Sequence, residues 1–231
     1  MPFGLFDPTM LLLVPAMIFA FWAQWKVTHT YRQYSQVRAA NGLTGSQMAK
    51  AIMNRNGVTD VAIEEISGVL SDHYDPRARK VRLSASVFRE PSLAALAVGA
   101  HEIGHVLQHA QGYAPLALRS AIAPVAGFGS MLAFPLFFIG FIFQGDALAW
   151  LMDLGIVFFA GAVMFHLITL PVEFDASRRA LAELTSGGAL APHEVVGAKK
   201  VLDAAAFTYV AAAAMAALQL IRLVLLRRGR D

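Results

Sequence analysis

Residues 101 to 105 read His-Glu-Ile-Gly-His, two imidazoles and a carboxylate at a spacing that can build a metal site. The run from Ala94 to Ala110 is compatible with a helix, and four residues are slightly more than one turn, so His101 and His105 project from one face and can reach one ion. Glu102 lies about 100° round the helix from His101. From there it can touch a water beside the ion without ligating it. The chemistry on offer is hydrolysis by a metal-activated water with a carboxylate to move the proton. Chance alone produces such a string in roughly one chain of this length in a hundred, so its surroundings must decide.

A catalytic zinc takes three protein ligands and keeps one position open. Cysteine is absent, so nitrogen and oxygen must supply all three. The third ligand must lie on the same side of any membrane as the histidines, with an even number of crossings between. Two apolar stretches follow, Leu116 to Phe143 and Ala147 to Leu170, separated by Gln144-Gly145-Asp146. Each exceeds the roughly 20 residues that cross a hydrocarbon core, which predicts a transmembrane hairpin. Immediately beyond it stands Glu173, on the required side. A metzincin pattern would need Gly at 108 and His at 111, but both are Gln. His109 continues the four-residue series, yet its backbone is about 12 Å from that of His101, which suits a supporting or interfacial role better than ligation. His166, inside the second stretch, is read as a packing residue.

Composition agrees with a membrane setting. The chain has 231 residues, 57% hydrophobic and 15% charged, with mean hydropathy +0.53, figures foreign to a soluble domain. The net charge of +3 does not indicate nucleic acid, because the basic residues flank apolar stretches, as membrane anchoring requires. The expected surroundings are a lipid bilayer and a peptide or membrane-protein substrate, with no nucleic acid.

The expected fold is mainly α and integral to the membrane: a zincin-like α+β region, with the HExxH helix and a small strand element, joined to three or four transmembrane helices. Residues 1–26 form an uncleaved anchor, ending in Trp22, Trp25 and Lys26. Residues 27–115 form the first half of the catalytic region. Here Val58 to Tyr74 and Val81 to Phe88 read as two extended segments joined by a turn at Asp75-Pro76-Arg77. They either offer an edge to an extended peptide or merely cover the helix. Pro91 and Gly112 bracket the His helix. Residues 116–170 form the hairpin, 171–203 the second half of the catalytic region with a loop at Ser186-Gly187-Gly188, and 204–231 an Ala-rich helix with a basic tail. That helix either spans or packs against the catalytic region. Asp153, inside the hairpin, is expected to face protein or lie near the interface, with Arg119 or Arg222 as partner.

His-Glu-Ile-Gly-His, the two-span hairpin, Leu-Pro-Val-Glu-Phe-Asp-Ala-Ser-Arg-Arg-Ala, the amino-terminal anchor, His-Tyr-Asp-Pro-Arg at 73 to 77 and the Ala-rich tail together resemble the YugP-like family of bacterial membrane zinc metallopeptidases. The likeness covers nearly the whole chain. It implies one zinc per chain on His101, His105 and Glu173, with Glu102 as acid/base. Gluzincin membrane proteases are similar at greater distance. They carry Glu-Phe-x-Ala-Asp around the third ligand, whereas this chain has Ser177 at the last position and an acid at Asp175. Asp175, Ser177 or neither could buttress a zinc-binding imidazole.

Peptide hydrolysis also needs a donor to the developing oxyanion. Tyr209, the lone phenol of the Ala-rich helix, is the candidate, with Arg178 as the alternative. Competing readings are a membrane scaffold or chaperone with a structural or vestigial zinc site, and a zinc hydrolase of non-peptide amides. The positive-inside rule places the catalytic face in the cytoplasm of a bacterial inner membrane: Lys26, Arg32, Arg38, Arg77, Arg79, Lys80, Arg82, Arg178 and Arg179 share one compartment, and the turn at 144 to 146 has no positive charge.

Overall fold

The computed structural model describes residues 7–143, 146–186 and 188–229. Gln144, Gly145, Gly187 and Arg230, on which parts of the sequence reading fall, lie outside the described residues. A 3-10 turn at Pro8–Leu13 leads into α1 (Val14–Ser35), followed by α2 (Gly45–Arg55), β1 (Ala62–Ile66), β2 (His73–Asp75), β3 (Lys80–Ser84), α3 (Ala85–Arg89), α4 (Leu93–Ala110), α5 (Ala114–Ile142), α6 (Asp146–Ser186) and α7 (Pro192–Arg228). The chain divides into two compact units. One holds residues 1–22, 118–170 and 208–231, and the other residues 23–117 and 171–207.

The second unit is built round α4. Ser92 caps it, accepting from the Ala95 amide at 3.2 Å, and Gly112 turns the chain away at φ +64°. Leu96, Ala97, Ile103 and Val106 of α4 meet Met48 and Ile52 of α2, Val81 and Leu83 of β3, and Ala180 and Leu184 of α6 in one core. α2 is held at its start by a reciprocal capping box between Thr44 and Gln47.

The extended region differs from the expected pair of segments. Three strands form a sheet in the order β1-β3-β2, with β1 parallel to β3 and only β2 and β3 forming a hairpin. Residues 85–88, expected to be extended, belong to the helix Ala85–Arg89. Burial explains the central place of β3. Val81 and Leu83 point into the core while Lys80 and Arg82 point away, an alternation that only a strand satisfies. At the hairpin, the Asp75 carboxylate accepts from the amides of Arg77 and Ala78, both at 3.0 Å, and Arg79 takes a left-handed φ of +50°.

The other unit contains the apolar parts of four helices that are long and apolar enough to cross a membrane, Pro8–Ser35, Ala114–Ile142, Ala147–Ser186 and Pro192–Arg228. Its core joins Ala133 and Phe137 to Met152, Phe159, Val163, Ala216 and Leu223. Two boundaries differ from the sequence reading. α6 runs unbroken through Pro171, so the second hairpin span and Glu173 share one helix. α7 begins at Pro192, well before the Ala-rich stretch. Asp153 pairs with neither Arg119 nor Arg222. The Arg227 guanidinium donates to it at 2.9 Å, while Arg222 donates to Asp7 and Thr9, both at 3.2 Å.

Candidate metal centre

Packing of α4 against the carboxy-terminal part of α6 assembles the site. Gly104, inside the His-Glu-Ile-Gly-His run, permits it, since a Cβ there would run into the Ala176 carbonyl of α6. At that close approach, one nitrogen of His101, one of His105 and one carboxylate oxygen of Glu173 all lie within 4.8 Å of one another. The Glu173 Oε2 is 3.3 Å from His101 Nε2 and 3.5 Å from His105 Nε2. The two rings stand nearly perpendicular, at 86°, with centroids 4.9 Å apart. Two imidazoles and one carboxylate converging on their Nε2 and Oε2 atoms suit zinc and leave room for a non-protein ligand.

The outward nitrogens of both rings are also engaged. Ser177 Oγ is 3.1 Å from His101 Nδ1. Gln108 Oε1 is 3.0 Å from His105 Nδ1, and Gln108 Nε2 donates to the Val172 carbonyl at 2.7 Å and to Asp175 Oδ2 at 2.9 Å. Asp175 is paired in turn with Arg178 and Arg179. Ser177 and Asp175 therefore both have a place: Ser177 meets one imidazole directly, and Asp175 reaches the other through an amide. Such contacts fix ring orientation in metal sites.

Glu102 is only 7% exposed. Burial raises its carboxyl above the ordinary carboxylate range, and the neighbouring imidazoles of His101 and His105 oppose that rise. For His105, burial works against the charged ring, but the bond to Glu173 and the charges of Glu102 and Glu173 outweigh it and hold the group above its usual value.

The remaining candidates lie elsewhere. His109 is outside the converging group; its Nδ1 is hydrogen-bonded to the Tyr74 hydroxyl at 2.7 Å, beside a cavity of about 350 Å³ also lined by Val58, Val61 and Val106. Arg178 turns an exposed side chain to Asp175. Tyr209 falls on α7 in the unit of apolar helices. Gly104 and Gln108 are the contributors that the sequence reading passed over. A glycine at the second variable position of HExxH was a visible sign of close helix contact, whereas nothing marked Gln108 except its place one turn after His105.

Residues 9–228 match the family described as "Putative neutral zinc metallopeptidase". The chain belongs to this family. It is also 46% identical over 221 residues to the protein named "Putative membrane protease YugP" of Bacillus subtilis (strain 168), covering 95% of this chain and 97% of that one. No solved structure matches. The family's zinc accords with the donor set that α4 and α6 bring together.

Proposed function

We propose that the protein is a membrane-embedded zinc-dependent endopeptidase in which His101, His105 and Glu173 hold one zinc ion and Glu102 is the general base. The observation that carries this reading is the convergence of the three donors beside a buried carboxylate that belongs to no ion pair with lysine or arginine among the described residues. When bound, zinc supplies Lewis-acid chemistry, acidifying a water and polarising a carbonyl oxygen. Glu102 takes the proton from the attacking water as its oxygen bonds to the peptide carbon. It then delivers that proton to the amide nitrogen as the carbon–nitrogen bond breaks, so the carboxylate is restored. Ser177 and Gln108 keep the two imidazoles from turning.

An extended substrate segment would add to the edge strand β2, where main-chain bonding is indifferent to sequence. We place the catalytic unit on the cytoplasmic face of a bacterial inner membrane, with peptides or membrane proteins as substrates.

The test is an assay of purified protein in detergent on protein, peptide and lipid-amide substrates, with a chelator and Glu102→Gln as controls. Chelator-sensitive peptide cleavage, lost in Glu102→Gln, is expected. Cleavage of the lipid amide alone would replace the peptidase reading, and zinc binding without hydrolysis would favour a scaffold.

A further inference from the structure

Gln108 has none of its surface exposed, so the orientation of its amide is set entirely by its neighbours. One end faces the Val172 carbonyl at 2.7 Å and Asp175 Oδ2 at 2.9 Å. A carbonyl can only accept, and Asp175, paired with Arg178 and Arg179, is a carboxylate that also only accepts. That end must therefore be the NH2 group. The other end must be Oε1, which lies 3.0 Å from His105 Nδ1. An amide oxygen cannot donate, so His105 Nδ1 carries the hydrogen, and in the neutral ring Nε2 carries the lone pair, on the side where Glu173 Oε2 sits at 3.5 Å. His101 has no such constraint, because Ser177 Oγ, 3.1 Å from its Nδ1, can donate or accept.

We propose that Gln108 is a positioning residue that locks His105 in the Nδ1–H tautomer, with Asp175 and its two arginines acting on the imidazole through the amide. The lock opposes the intrinsic preference of a neutral imidazole, whose Nε2–H form is the more populated in water. It commits Nε2 to a metal before one arrives. Gln108 thereby divides a task that a single carboxylate often performs in zinc sites: the amide sets the tautomer, and Asp175 sets the amide. The proposal relies on the zinc reading for the purpose of Nε2, but the tautomer is a property of the metal-free protein.

Protein labelled with 15N in its histidine rings, stripped of metal and held in detergent at alkaline pH, tests this directly. The His105 signals are assigned by their loss in His105→Gln. The expected spectrum has a protonated Nδ1 and an unprotonated Nε2 at His105; the reverse would overturn the lock. Zinc competition against a chromogenic chelator supplies a second readout. Gln108→Leu should bind roughly 10- to 100-fold more weakly than wild type. Unchanged affinity in the Leu variant would defeat the proposal. If Gln108→Leu fails to fold, the wild-type spectrum still decides. A wild-type protein that binds no zinc would sink the metallopeptidase reading, while the tautomer would still be settled by the spectrum.

Discussion

Gly104 of α4 stands so close to the carbonyl of Ala176 on α6 that no Cβ fits between them. The contact lies between the two histidines in one helix and three residues past Glu173 in the other, so it sets the gap across which the three donors meet. Gly104→Ala should cost about 1–3 kcal/mol by overpacking and should weaken metal binding as the helices part. Gly127→Ala is the control, because nothing lies within 4 Å of a Cβ placed there. Thermal unfolding in detergent and zinc content per chain measure both. A Gly104→Ala protein with wild-type stability and zinc content would show that the close approach is not needed.

Glu102→Gln keeps the shape of the side chain and removes its ability to accept a proton. The variant should retain zinc while peptide hydrolysis falls by about 10²- to 10⁴-fold. Metal analysis and initial rates on the same preparation test this. Full turnover in the variant would assign the base elsewhere.

Glu173 is the only donor of the trio on α6, and it is almost fully buried. Zinc should raise the stability of stripped wild-type protein by about 2.7 kcal/mol when present at a hundredfold excess over its dissociation constant. Glu173→Ala and His101→Ala should show no such rise. The comparison is made by unfolding curves with and without zinc, then with chelator. Equal stabilisation of Glu173→Ala would remove this carboxylate from the coordination sphere.

The centre was legible in the sequence because its residues obey short-range rules. A four-residue spacing fixes two imidazoles on one helical face, and counting crossings carries the chain back to Glu173. What could not be read depends on contacts between distant segments. Nothing local in Ala62–Ile66 says that it pairs parallel with Lys80–Ser84, because the pairing is a contact between separate segments that sets Ala62 opposite Lys80 and Ile66 opposite Ser84. Asp153 offers the same lesson. Its partner is 74 positions away on α7, and depth estimates along single helices pointed to Arg119 or Arg222. Pro171 misled differently, since the proline reads as a boundary while α6 continues through it.

Orientation supplies the final prediction. In the unit of apolar helices, Arg227 near the end of α7 donates to Asp153 near the start of α6, at 2.9 Å and 3.4 Å to its two oxygens. Arg222 meets Asp7 near the amino-terminal end of the described chain. These pairs favour a spanning α7 whose carboxy-terminal end shares a compartment with the start of α6. Lys26, Arg32, Arg38, Arg77, Arg79, Lys80, Arg82, Arg178 and Arg179 then count for the opposite compartment and outnumber Arg227, Arg228 and Arg230, so the positive-inside rule predicts that opposite side to be cytoplasmic. Reporters active only in the periplasm, fused at residue 145 and at the carboxyl terminus, should both be active, and reporters active only in the cytoplasm should both be silent. Cytoplasmic activity at 145 would reverse the whole orientation. Disagreement between the two positions would mean that α7 does not cross and that the Arg227–Asp153 pair does not form in the membrane.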